Sequence, residues 1–200
     1  MERLRYRPQV LENIARQALC SFDKRLYYGK PAAIPIERLI EAHGLRLEIQ
    51  HIRNNGRILG EIVFDEGLHP VYDMEKREYT LIPVKAGTVF IDASLCDEAA
   101  NTGRFRFTCA HELAHWILHK RLYLGTGESA AHTPAIKETE MELQANQLGS
   151  MLLMPIAQIK RAFYELRAGR NDARLVEDMS ELFQVSRQAM SIRLKNHHLL

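Results

Sequence analysis

Two histidines four residues apart, His111 and His115, enclose a glutamate, Glu112, in the run FTCAHELAHWILH (residues 107–119). The run is apolar at Phe107, Ala110, Leu113, Ala114, Ile117 and Leu118, so it reads as a helix and not as a loop. Residues i and i+4 of a helix project from one face, one turn apart, and two imidazoles so placed can reach a single ion. Zinc accepts neutral imidazole nitrogen and in catalytic sites keeps a position open for water. A glutamate between the two ligands can then act as general base toward that water. The chemistry expected of His111, Glu112 and His115 is therefore metal-assisted hydrolysis.

A catalytic zinc needs a third protein ligand, and the segment 138–155, ETEMELQANQLGSMLLMP, offers one. Met141, Ala145, Leu148 and Leu152 form its apolar stripe. Glu142, Asn146 and Gly149 share the adjacent face, which would place a carboxylate on the metal, an amide beside a ligand and a small residue where two helices approach. Glu138, Glu140 and Glu142 all compete for the ligand role, and periodicity does not choose among them.

Around these segments the elements follow from pattern. Helices are expected over Pro8–Cys20 and Pro35–His43, the second stopped by Gly44. Leu45, Leu47 and Ile49 alternate with polar residues, and Asn54-Asn55-Gly56 reads as a hairpin turn into a second strand, Arg57–Asp65. Two more strands are expected at Glu78–Val84 and Thr88–Asp92. Beyond Ala93 the chain reads as helical, at 104–119, 134–153, 155–169, 172–184 and 187–196, with a polar loop over 120–133. The fold class is α+β: a small, mostly antiparallel sheet followed by helices. The division expected is a domain over 1–155 and a helical subdomain over 156–200.

The bulk composition narrows the function classes. The chain has 200 residues and a formal net charge of +2, without the basic excess of a dedicated nucleic-acid binder. Cys20, Cys96 and Cys109 are an odd number without a CxxC pair, so neither a disulfide framework nor a cysteine zinc site is expected. Neither a signal peptide nor a membrane span is visible, and the expected location is the cytoplasm.

The tail, residues 175–194, reads as helix, turn, helix, with Ser186 capping the second helix. Its pattern FxVSxxAMxxRL resembles helix-turn-helix sequences. Asp172, Glu177, Asp178 and Glu181 oppose phosphate binding, so packing through Leu182, Val185, Met190 and Leu194, or substrate docking, is expected over DNA contact.

The two long motifs, FTCAHELAHWILH and then ExQANxxxxxLLMP, resemble the ImmA/IrrE family of metallo-endopeptidases, with IPIERLIEAHG and AGTVFIDASL upstream adding to the likeness. The resemblance implies a zincin-like helical core, His111, His115 and Glu142 as zinc ligands, Glu112 as the base, and Asn146 as the family's asparagine. Ala114 and the pair Leu148-Gly149 depart from its usual residues, and both changes are small and apolar. It further implies a protein substrate, a helix-turn-helix repressor of the XRE type, cleaved to relieve repression in a stress or mobile-element response. Two rival expectations stand beside it: a non-enzymatic regulator whose metal only senses or stabilises, and a structural zinc closed by a fourth ligand such as His119. His119 is otherwise expected to be a helix C-terminal histidine favoured by the helix dipole. His132 and Tyr123 are candidates for a hydrogen bond to the reacting carbonyl.

Overall fold

The computed structural model describes residues 6–53, 58–96, 102–123 and 135–200, with side chains in the last stretch from residue 139 onward. Three helices come first. Pro8 opens α1 (Pro8–Phe22), where its missing N–H and fixed φ cost nothing, and Leu11, Ala15, Ala18 and Leu19 form the buried face. A single turn, α2 (Arg25–Tyr28), buries Tyr27, and α3 (Ile36–Ala42) buries Ile36, Leu39 and Ile40. Gly44, at φ +74°, lets the chain leave α3 in a left-handed turn.

Five strands follow: β1 (Arg46–Gln50), β2 (Gly60–Val63), β3 (Gly67–Asp73), β4 (Glu78–Val84) and β5 (Thr88–Asp92). The main sheet has the order β1-β5-β2, with β5 parallel to β1 and antiparallel to β2. Every residue of β5 is buried, as befits the central strand of a sheet packed against helices. Asp92 ends it, its Oδ2 accepting from the Ile52 N–H at 2.9 Å and its Oδ1 from the Ser94 N–H. The expected hairpin between the strands around 45–49 and 57–65 does not form, since both pair with β5 and not with each other. Alternation identifies a strand but not its neighbour. The turn at Asn54–Gly56 lies outside the described residues.

β3 and β4 form a separate antiparallel ribbon in the register Tyr72↔Tyr79. β3 was not expected, because GLHPVYD contains a proline and alternates poorly. A two-stranded ribbon has only edges, and there Pro70 needs no ladder donor. The turn is held by Asp73, whose Oδ1 accepts from the N–H groups of Glu75 and Lys76.

Among the described residues, a short 3-10 turn (Ala93–Leu95) and then five α-helices follow: α4 (Thr102–Tyr123), α5 (Ala135–Leu153), α6 (Ile156–Leu166), α7 (Asp172–Phe183) and α8 (Arg187–Asn196). α4 packs on α5, on β2 and on β5, and α5 also packs on α1. Asn171 caps α7 through the Arg174 N–H, and Ser186 caps α8 through the Ala189 N–H at 3.1 Å. One buried cluster runs from Leu11 of α1 through the sheet and α4–α5 to Leu175, Met179, Phe183, Met190 and Leu194 of the tail. Leu182 is not part of it. It is 36% exposed, and Phe183 next to it fills the core instead. Cys109 is fully buried and burial raises its thiol pKa, which suits an inert core residue. No helix among the described residues is long and apolar enough to cross a membrane.

Candidate metal centre

The approach of α4 and α5 sets the geometry. A Cβ on Gly149 would lie 3.2 Å from the backbone of Ala110 and His111, so a hydrogen there lets the two helices run close together. From α4, the Nε2 atoms of His111 and His115 face each other at 3.0 Å. From α5, Glu142 places Oε2 at 3.1 Å from the His111 Nε2 and Oε1 at 3.1 Å from the His115 Nε2. Ligand atoms of these three residues all lie within 4.8 Å of one another.

Hydrogen bonds behind the rings fix which nitrogens carry protons. The Asn146 Oδ1 accepts from the His111 Nδ1–H at 3.0 Å, leaving the Nε2 lone pair facing the cluster. His119 donates from Nε2 to the Gln144 Oε1 at 3.3 Å, so its Nδ1 accepts from the His115 Nδ1–H at 3.2 Å. The His115 Nε2 lone pair therefore also points inward. Two lone pairs and a carboxylate converging in this way repel one another unless a cation lies among them. Donors about 2.0–2.1 Å from a tetrahedral ion stand about 3.3 Å apart, close to the spacing observed here. The residues fit a zinc ion.

His119 does not play the part expected of it. Helix α4 continues to Tyr123, and His119 is fully buried one turn short of its end. Burial and the neighbouring His115 push its pKa down to about 4, so its ring is neutral and offers the helix dipole no charge. Both its nitrogens are engaged behind His115, outside the three-residue cluster. The Tyr123 hydroxyl points to the Met141 sulfur at 4.0 Å, and the ring stacks on Phe64. His132 lies outside the described residues, as does the side chain of Glu138. Sequence reasoning passed over Gln144 and the orienting role of His119. The signal was there: His119 repeats the four-residue spacing of His111 and His115, and Gln144 sits two residues after Glu142.

Glu112 stands beside the cluster on α4 without belonging to it. Its carboxylate accepts a hydrogen bond from the Ile62 backbone N–H of β2, and a Cβ on Gly60 would come within 2.8 Å of its Oε1. Glycine at that position leaves room for the carboxylate against the strand. Burial pushes the Glu112 pKa up to about 8. The charge of His111 opposes this, whereas Glu142 and Glu61 add to it. A buried carboxylate with so high a proton affinity is a strong base.

Residues 83–195 match the family model of the IrrE N-terminal-like domain, the M78 peptidases. The chain belongs to this family. It is thus a metallopeptidase of the IrrE/ImmA type, and the matched span carries α4, Glu142 and both tail helices. A search of curated proteins finds no match. Within this M78 domain, Asn146 holds the His111 ring with its Nε2 lone pair toward the cluster. Asn146→Ala is expected to weaken zinc binding about 10–100-fold, measured by competition with a chelating dye.

Proposed function

We propose that this M78 metallopeptidase is a zinc-dependent endopeptidase of the cytoplasm, and that its substrate is a helix-turn-helix transcriptional repressor whose cleavage relieves repression. The observation that carries the reading is the pairing of three converging ligands, His111, His115 and Glu142, with a buried base, Glu112, on the same helix. Two imidazoles and one carboxylate suit zinc and leave a coordination position for water or substrate. Bound there, zinc would supply Lewis acidity toward a peptide carbonyl and lower the pKa of water. Glu112 takes the proton from the attacking water and delivers it to the leaving amine nitrogen. The Ile62 N–H holds that carboxylate in place, and Asn146, His119 and Gln144 hold the two rings.

The repressor as substrate rests on the family, and the tail is consistent with a role other than reading DNA. Arg187 pairs with Glu177, and Arg174 with Glu177 and Asp178. Arg193 is 4% exposed, bonded to the Met154 carbonyl at 3.0 Å and to Glu12 at 2.6 Å. The buried Arg193 is out of reach of a phosphate, and the acidic partners of Arg174 and Arg187 reduce the positive charge a phosphate would meet.

The direct test co-expresses the chain with a helix-turn-helix repressor encoded beside its gene and follows repressor length by mass spectrometry. The expected result is shortening by the zinc-loaded protein, its loss on chelation and its return with added zinc. A repressor that stays intact with zinc bound would refute this substrate and favour a regulator acting without cleavage.

A further inference from the structure

A groove of about 590 Å³ runs along the metal centre's flank, between the start of α4, the outer face of α5 and the exposed side of α8. Phe107, Met151 and Met154 line it from α4 and the end of α5, and Leu143, Ala189 and Ile192 from its sides. Leu143 is 56% exposed and Ile192 52%, so the groove keeps large aliphatic groups in water. Its lining suits an apolar side chain, and its volume leaves room for a large one.

The groove adjoins the centre through residues of α4 and α5. Phe107 precedes His111 by one turn on the same face of α4, with ring centroids 6.5 Å apart. Asn146, which bonds His111, also lines the groove, and Leu143 follows Glu142 directly. A peptide held with its carbonyl at the cluster therefore passes beside an apolar recess on the α8 side.

We infer that this groove is a specificity pocket for a large apolar side chain of the substrate residue flanking the scissile bond, and that α8 is its outer wall. The inference rests on the peptidase reading above and adds to it the kind of residue at which the enzyme cuts. It also gives the tail helix a part in substrate selection. Ser186 caps α8, Arg193 anchors it to Met154 and Glu12, and its Ala189–Ile192 face closes the pocket.

The experiment uses the zinc-loaded full chain and small hydroxamates, read by calorimetry. N-acetyl-leucine hydroxamate is compared with N-acetyl-glycine hydroxamate, and the comparison is repeated with reverse hydroxamates, so that either side of the scissile bond is sampled. An isobutyl group buried in the pocket is expected to tighten binding about tenfold or more in one of the two series. Ala189→Trp, which fills the groove, should bring that ratio close to one. Ile192→Ser, at an exposed position, should reduce it, and keeps the test decisive if the tryptophan disturbs folding. Binding of the glycine compounds with no leucine preference in either series, or with a preference that both variants retain, would overturn the pocket and leave the metal centre standing. Failure of every hydroxamate to bind the zinc-treated protein would overturn the metal-centre reading, and the pocket with it.

Discussion

Zinc-loaded protein carrying Glu112→Gln is expected to bind the metal as the wild type does and to cleave its substrate about 10²–10⁴-fold more slowly, the usual worth of a general base. That loss corresponds to about 3–5 kcal/mol of transition-state stabilisation. Glutamine keeps the volume, and its carbonyl oxygen can still accept from the Ile62 N–H, so the local packing against Gly60 survives. Glu112 is not among the three converging ligands, so metal affinity should hold. What disappears is the proton acceptor. The pH profile gives a second readout. A base works only when deprotonated, so kcat/KM of the wild type should rise with pH through the Glu112 pKa of the loaded enzyme. Burial pushes that pKa up, to about 8 before any cation is counted, and a nearby dication acts in the opposite direction. The Gln variant should lack this limb. Equal rates for the two proteins, or the same pH limb in both, would remove Glu112 from the chemistry.

The features that could be read from the sequence are those whose geometry a helix fixes by itself. The four-residue spacing of His111 and His115 determines that both rings leave one face, whatever surrounds them. The Glu142, Asn146 and Gly149 spacing does the same on α5, and the structure finds the carboxylate, the amide and the close approach on the face expected. The choice of Glu142 over Glu138 and Glu140 was not available from periodicity, because it depends on how α5 is rotated against α4. Strand neighbours were hidden for a related reason. β5 announces itself as a strand in TVFID, but its place between β1 and β2 is decided by chain reversals that leave no mark within the strand. His119 was misplaced because the apolar pattern fades before α4 ends, and only burial shows that its ring is neutral. The α8 groove was beyond reach altogether, since its walls come from three helices distant in sequence.

Glu142→Ala should lower zinc affinity by more than the 10–100-fold expected for Asn146→Ala, because it removes a donor and not the support of one. It should also change how affinity depends on pH. With no metal bound and a proton on each Nε2 in its place, hydrogen bonds from the His111 and His115 rings hold the Glu142 carboxyl well below the usual carboxylate range. Burial disfavours the charged form of His111, but the hydrogen bond its ring donates to Glu142 and the charges of Glu112 and Glu142 outweigh it and raise the His111 pKa. Zinc must displace that proton, so wild-type affinity should fall with decreasing pH, starting above the ordinary imidazole value of about 6.5. Without Glu142 two of the raising causes vanish, the His111 pKa drops, and the onset of proton competition moves to lower pH even as affinity drops throughout.

Stability of the metal-free protein should carry the same two groups with opposite signs. A raised His111 pKa adds stability that is fully present below the unfolded value and is lost as pH rises through the folded one. A depressed Glu142 pKa adds stability present above its unfolded value and lost as pH falls. The pair therefore supports the metal-free fold most in the window between the ordinary carboxylate value and the ordinary histidine value, and the histidine part is lost as pH rises on through the raised one. Glu142 is half exposed, so screening keeps the effect small. Zinc titrations of both proteins across that window, alongside thermal unfolding of the metal-free forms, separate the two effects. A Glu142→Ala protein with wild-type affinity and an unmoved pH onset would mean that the third ligand is another residue.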